Sequence, residues 1–321
     1  MRQYLKLLKK AKNIALISHT NPDPDTIGST LALSCVLKRL GKSVCLFCDA
    51  EYNENYSFLS AYKEYEFSGD ADFSAYDLIV AVDVANDTML GKFAEQFALH
   101  ENSLRIDHHA SGTDYAKNNL VIPYSACAIL VFEIAKKLKV KVDKDMATML
   151  YFAICGDTGI FRNNNTDSVT FEVCAELFKA GAEYRKVYSE FFDKKTVPFI
   201  KLTANTILNA SINDELKFVI MTVTSDDYKK FDASTNENIG NIPHQYLNCG
   251  YNIAVVLKEK EDGIHCSFRS KFEYDCSKIA EAFGGGGHKN ASGCKIDKDI
   301  KSAKKDVENE IIKYLSAREE S

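Results

Sequence analysis

Apolar residues in this chain gather into short runs that end on polar or acidic positions. "NIALIS" (13–18), "SVCLFC" (43–48) and "YDLIVAVD" (76–83) are runs of strand length, and "SLRID" (103–107) is a shorter one. Continuous runs of this kind predict strands buried on both faces. Between and after them the apolar spacing shifts to three and four: "DTIGSTLALSCVLKRLG" (25–41) reads as a helix with Gly41 at its carboxyl end, and helical patterns cover about 125–138 and 143–155. A further helix is predicted in "NTDSVTFEVCAELFKAG", with Thr166 or Asp167 as N-cap and Gly181 at the stop. Strands alternating with helices predict an α/β class with a mostly parallel sheet flanked by helices.

From about residue 185 the texture changes. "RKVYSEFFDKKTVPFIKLTANTILNA" reads as a helical connector interrupted near Pro198. Beyond it, "LKFVIMTV", "YNIAVVLKE" and "GIHCSFRS" read as strands, followed by a helix "DCSKIAEAF", the run "GGGG" and an amphipathic helix over about 300–317. The expected organisation is a first domain over 1–186, a connector over 187–212 and a smaller α/β domain over 213–321.

At 321 residues with 45% apolar content, two domains can each hold a core. The net charge of −5 supplies no global basic field for long or duplex nucleic acid, so a phosphate-bearing ligand must be held locally. Ten scattered cysteines suit reduced thiols in a cytosol better than a disulfide framework. Cys45 and Cys48 have zinc-like spacing, but a strand puts them on opposite faces, so both are expected in the core. The lysine-interrupted start is no signal peptide, and no apolar stretch approaches the about 18 residues of a membrane span, which predicts a soluble, cytoplasmic protein.

The candidate chemistry lies where the apolar runs end. "SHTNPDPDT" places His19, Asp23 and Asp25 after the first run, and Asp83 ends the third. Asp107, His108 and His109 follow "SLRI", and Asp157 closes the helical pattern "ATMLYFAICGD". Each alone is explained by a cap or a turn. Ligands of open α/β sheets bind beyond the carboxyl ends of the strands, and four such clusters at one edge would concentrate negative charge that only cations can neutralise. Carboxylates and imidazoles without a cysteine favour hard or borderline ions, manganese or magnesium, over structural zinc. A pair of such ions about 3.5–4 Å apart needs six or seven ligands with one bridging carboxylate, and activates water for phosphoester hydrolysis.

In order, "HTNPDPD", "VAVD", "IDHHASG" and "CGDTGIFR" resemble the four motifs of the DHH phosphoesterase superfamily, and "FRSK" with "FGGGGHKNASG" resembles its DHH-associated C-terminal domain. Length and layout are similar to the nanoRNase and pAp-phosphatase branch. The resemblance implies hydrolysis of short oligoribonucleotides and linear dinucleotides such as pApA to 5′-mononucleotides, with pAp as a second substrate. It assigns His19, Asp23 and Asp83 to one metal and Asp25, Asp83, His108 and Asp157 to the other, so that the alternate acids of "NPDPD" divide between two ions and Asp83 bridges. Asp107 then orients an imidazole and His109 faces the scissile phosphate, while Arg269, Gly285, Gly286, Gly287 and His288 hold the far end of the substrate. The implied cofactor is two manganese ions, with magnesium or cobalt as substitutes. The implied partners are short single-stranded RNA, dinucleotides and pAp, without duplexes or membranes, and a homodimer is compatible with the branch.

Two departures stand out: Pro24 replaces the usual glycine between the first two aspartates, and "VAVDVAND" continues differently after Asp83, so no role passes to Asn86 or Asp87. Two other readings fit less well. A soluble cyclic di-AMP phosphodiesterase shares the motifs, and a non-catalytic nucleotide- or metal-binding protein would be expected to have lost a ligand.

Overall fold

A computed structural model describes residues 1–67, 69–110, 112–235 and 239–319. The chain divides into two compact units, Met1–Lys194 and Lys195–Ser321, the division falling inside the stretch read as a connector.

The first unit contains strands β1 (Asn13–Ser18), β2 (Ser43–Cys48), β3 (Tyr65–Phe67), β4 (Leu78–Val82), β5 (Ser103–Asp107) and β6 (Asn118–Val121). Its helices are α1 (Arg2–Lys10), α2 (Pro24–Arg39), α3 (Ala94–Leu99), α4 (Cys127–Lys137), α5 (Lys144–Asp157), α6 (Ser168–Lys179) and the short α7 (Tyr184–Val187). The strand order is β3-β2-β1-β4-β5-β6 with every neighbouring pair parallel. The order reverses between β1 and β4, where loops leaving the carboxyl ends diverge and open a crevice.

The long apolar runs are buried because both sheet faces are covered. Ile14, Leu16, Val80, Val82, Leu104 and Ile106 pack on the layer formed by α2, α4 and α5, while Ala15, Ile17, Ile79 and Ala81 meet Phe73, Phe93 and Phe97 on the other side. Cys48 belongs to the first layer and Cys45 to the second, which leaves them on opposite faces as the strand period requires. Helix α2 crosses α5 so closely that a Cβ on Gly28 would run into the Met149 carbonyl oxygen and come within 2.8 Å of the Ala153 Cβ. Asp167 caps α6 in a reciprocal capping box with Thr170, and Gly181 follows that helix with φ 95°.

The second unit contains β7 (Ser211–Asn213), β8 (Phe218–Val223), β9 (Ile253–Lys260), β10 (Gly263–Ser270), β11 (Gly286–His288) and β12 (Ala291–Ile296), with helices α8 (Val197–Leu208), α9 (Ser225–Phe231), α10 (Pro243–Asn248), α11 (Ser277–Glu281) and α12 (Ile300–Glu319). The sheet order is β11-β12-β10-β9-β8-β7, antiparallel except for β8 beside β9. Ile279, Ala303, Val307 and Ile311 cover one face; Phe199, Leu202, Tyr228 and Leu247 cover part of the other. Pro198 does not interrupt a helix but sits in the first turn of α8, where its missing N–H has no partner to lose. Among the described residues no helix is long and apolar enough to cross a membrane.

Candidate metal centre

The strand ends at the point of reversal carry the acidic loops. After β1 the chain turns into α2 with Asp23 as N-cap, its Oδ1 accepting the Thr26 amide at 3.0 Å. Pro24 occupies the first helical turn, so the departure from glycine preorganises the helix start. In the same first turn, Asp25 is fully buried. Its oxygens accept Ser29 Oγ at 2.8 Å and the amides of Cys127 and Ala128, at 2.6 and 3.1 Å, from the amino end of α4. Those amides are unpaired in the helix itself, and the helix dipole favours a carboxylate there.

Asp83 follows β4 in the left-handed region, φ 60°, which aspartate tolerates better than most residues. Its amide donates to the Ile106 carbonyl at 2.9 Å and its Oδ2 accepts Thr26 Oγ1 at 2.7 Å. Beyond β5, His108 donates from Nδ1 to the Tyr124 carbonyl at 2.9 Å, which leaves Nε2 bare and directed at three acids. Nε2 stands 3.3 Å from Asp157 Oδ2, 3.5 Å from Asp83 Oδ1 and 3.8 Å from Asp25 Oδ2. His109 Nδ1 lies 2.8 Å from Asp107 Oδ1 and 3.7 Å from Asp83 Oδ1.

Asp157 ends α5, and the chain then makes a turn in which Gly159, Ile160 and Phe161 are all left-handed, at φ 55°, 59° and 60°. Several bonds hold this unusual turn. The Ile160 amide donates to the Cys155 carbonyl at 2.8 Å, the Phe161 amide to Thr158 Oγ1 at 3.1 Å, and Asn163 and Asn165 both donate to the Asp157 carbonyl.

The structure thus brings all eight first-unit candidates together. His19, Asp23 and Asp83 form one group, Asp25, His108 and Asp157 a second, and Asp83, Asp107, His108 and His109 a third; within each, one potential ligand atom per residue lies within 4.8 Å of the others. Burial and the charges of Asp25 and Asp23 raise Asp157 to about 8 and Asp83 well above the carboxylate range; burial raises Asp25 as well. Burial also lowers His19. Protons or cations must therefore share this cluster. Among the described residues Asp83 Oδ1 and His108 Nε2 are buried with no hydrogen-bond partner, although each faces other potential ligand atoms. Two orphaned buried donors among carboxylates, with no thiol among them, are what a divalent ion requires.

Asp107 behaves differently. Burial opposes its charge, but hydrogen bonds from His109 and Arg105 hold it at about 2. Reciprocally, the bond to Asp107 raises His109. Arg105 escaped the sequence reading. Fully buried, it donates to Asp107, to the Val84 carbonyl at 3.0 Å and to the Thr113 carbonyl at 2.8 Å, and stacks on Tyr115. A charged residue two positions before Asp107 on the same strand face was the available signal.

In the second unit, Arg269 lies near the end of β10, paired with Ala291, which in turn pairs with His288. Of the glycine run, Gly286 and Gly287 belong to edge strand β11. Gly285 and Gly287 press on β12, a Cβ at Gly287 coming within 2.7 Å of the Ala291 carbonyl oxygen, whereas Gly286 has open space beside it.

Two family models match the chain: the DHH family, N-terminal domain, over residues 13–154, and the DHHA1 domain over residues 216–317. The chain belongs to the DHH family of phosphoesterases. Within it, the chain is 25% identical over 307 residues to the bifunctional oligoribonuclease and PAP phosphatase NrnA of Bacillus subtilis, covering 92% of each chain. It is 27% identical over 300 residues to the protein of the same name from Thermus thermophilus, covering 92% of this chain and 88% of that one. An exopolyphosphatase-related protein from Bacteroides fragilis shares the fold, with a TM-score of 0.91 at 22% identity over 98% of this chain and 96% of that one.

Proposed function

We propose that this protein is a manganese-dependent phosphodiesterase that hydrolyses oligoribonucleotides of a few residues and linear dinucleotides such as pApA to 5′-mononucleotides, and that it also removes the 3′-phosphate of pAp. The observation that carries this is the gathering of Asp25, Asp83 and Asp157 around His108 Nε2, an atom that, like Asp83 Oδ1, is buried with no hydrogen-bond partner among the described residues. The relatives of the same length bear the matching activities in their names.

In this reading His19, Asp23 and Asp83 hold one ion, Asp25, Asp83, His108 and Asp157 the other. When bound, such a pair supplies the activated water and the positive charge that a transferring phosphoryl group requires. The protein's own groups do the rest. The Tyr124 carbonyl fixes the His108 ring with Nε2 as the donor atom. Asp107, held ionised by Arg105, accepts a hydrogen bond from His109 Nδ1, which favours the protonated imidazole and leaves its Nε2 side for a leaving oxygen. On the second unit, Arg269, Gly285, Gly286, Gly287 and His288 are the substrate-binding residues of this reading. A net charge of −5 leaves no field for duplexes, which lie outside this reading.

The test is to strip the protein of metal, restore manganese, and compare initial rates on pApA, a five-residue RNA, a twenty-residue RNA, cyclic di-AMP and pAp. Rapid turnover of pApA, the short RNA and pAp with little on the long strand is expected. Preference for cyclic di-AMP, or no turnover with metal bound, would overturn the assignment.

A further inference from the structure

The cations of the first unit collect at the sheet edge opposite the acids. Helices α2 and α4 start beside Asp23 and Asp25 and run away from the cluster, so Lys38, Arg39, Lys136 and Lys137 lie at their far ends, where the helix dipole favours cations. That edge is the amino end of the sheet, one strand length, or about 20 Å, from the metal centre. Lysines outside any helix join them: Lys12 leads into β1, Lys42 into β2, and Lys139 and Lys141 occupy the loop between α4 and α5. Lys42 Nζ donates to the Lys9 carbonyl, the Ser43 amide to the Lys12 carbonyl at 2.8 Å, and Arg39 to the Lys141 carbonyl, which ties these segments into one surface.

Most acids of this edge are taken: Glu64 pairs with Lys38, Asp143 with Arg39 and Glu176 with Lys136, while Glu101 and Asp145 remain exposed nearby. Among the described residues Lys9, Lys10, Lys12, Lys42, Lys139 and Lys141 are in no ion pair, and all but the half-buried Lys42 are exposed. In a chain with 45 acids against 40 lysines and arginines, composition alone does not produce such a surface. Beside it, between α1 and the starts of β4 and β5, lies a cleft of about 440 Å³ lined by Leu7, Lys10, Lys12, Asp77, Leu78 and Asn102. Asp77 is built into its wall, with Oδ2 accepting the Lys12 and Asn13 amides at 2.8 and 2.9 Å and the charges of Lys12 and Lys42 balancing its own. A cleft of this size with apolar walls and an amide side chain suits a nucleoside. On α1, Tyr4, Leu5 and Leu8 pack inward and Lys6, Lys9 and Lys10 face solvent, so the helix has no apolar face left to enter a bilayer.

We infer that this amino edge is a docking surface for single-stranded RNA, with phosphates along Lys9, Lys10, Lys12, Lys42 and Lys141 and one unpaired base in the cleft. Lysines grip phosphates as point charges without reading sequence, and a single strand alone offers both a line of charge and a free base; a duplex hides its bases. The choice of RNA rests on the proposed oligoribonucleotide substrate, but the surface lies beyond that reading. RNA held about 20 Å from the metals, at the other end of the strands, is bound without being cut.

Fluorescence anisotropy of a labelled twenty-residue single-stranded RNA, titrated with metal-free, full-length protein at about 50 mM salt, separates this surface from catalysis. The wild type should bind, with affinity falling as salt rises. Combining Lys10→Glu, Lys12→Glu and Lys42→Glu should weaken binding at least about 10-fold and make the salt slope shallower by about 2, since each neutralised phosphate contributes about 0.7. Loaded with manganese, the same variant should turn over pApA within about two-fold of the wild-type rate, because the altered charges lie beyond the screening length from the metals. Circular dichroism establishes that the variant is folded, and the milder pair Lys10→Gln and Lys12→Gln, which should lower the slope by about 1.4, keeps the test open if it is not. No binding by the wild type, unchanged affinity in the folded variants, equal affinity for a duplex of the same length, or tighter adsorption to phosphatidylglycerol vesicles than to RNA would overturn the inference. If the wild type turned over none of the oligonucleotides yet bound RNA through these lysines, the hydrolase reading would fail while the surface stood.

Discussion

Gathering so many carboxylates at one sheet edge makes the metal-free protein sensitive to alkali, and the direction can be worked out. Asp157 in the folded chain holds its proton to about 8, whereas in the unfolded chain it releases it near 3.8. Between these values the native state binds more protons than the unfolded state, so stability falls as pH rises, by up to about 1.4 kcal/mol per pH unit. From pH 6.5 to 8, Asp157 alone removes roughly 1.5–2 kcal/mol. Asp83 and Asp25, also raised, act in the same direction, as does His109, whose contribution is lost as pH climbs through its raised pKa. His19, lowered by burial, opposes this only below its unfolded value of 6.5. At roughly 2–4 °C per kcal/mol for a unit of this size, the melting temperature of the metal-stripped protein should drop by about 3–8 °C across that window. Manganese replaces protons with a cation, so at 100 times its dissociation constant it should restore about 2.7 kcal/mol, more effectively at pH 8 than at pH 6.5. Calorimetry of the full chain with and without manganese reads both effects. A melting temperature that is flat or rising with pH in the stripped protein, or unmoved by manganese, would refute the assignment of these acids to a shared cation site.

Three further outcomes follow from the geometry. Asp83→Asn keeps a side chain that tolerates φ 60° and should lower turnover of pApA at least about 100-fold with the fold intact, whereas near-normal rates would sink the bridging role. Arg105→Met leaves Asp107 buried without its guanidinium and should destabilise the protein by about 3–5 kcal/mol, measured by urea unfolding; a loss below 1 kcal/mol would mean that Asp107 finds another partner. Gly28→Ala pushes a methyl into the Met149 carbonyl, should cost about 1–3 kcal/mol, and should reduce activity by displacing Asp25 from Asp157; a neutral variant would show that α2 and α5 can part freely.

How much of this was legible in the sequence depended on the range of the interactions. The strands β1, β2, β4 and β5 announced themselves because burial on both faces demands unbroken apolar runs. β3, β7 and β11 span three residues each, too few for any period to appear, and β11 is built largely of glycine. The acids at the strand ends were readable because their positions are set by topology. What holds them was not: Thr26 reaches Asp83 across 57 positions, and the Ala128 amide reaches Asp25 across 103. Those bonds exist only once the sheet has brought the loops together. Asp23 shows that capping a helix does not exclude a place in the cluster, since its Oδ1 accepts the Thr26 amide while the same carboxylate groups with His19 and Asp83.

The left-handed turn behind Asp157 has a consequence for anyone who would engineer this protein. Non-glycine residues in that conformation cost roughly 1–2 kcal/mol each, and Ile160, being β-branched, is among the worst suited. A search for thermostable variants would therefore choose Ile160→Gly early. The added freedom of glycine would loosen the segment that fixes the end of α5, so sturdiness gained there would be traded against the placement of Asp157.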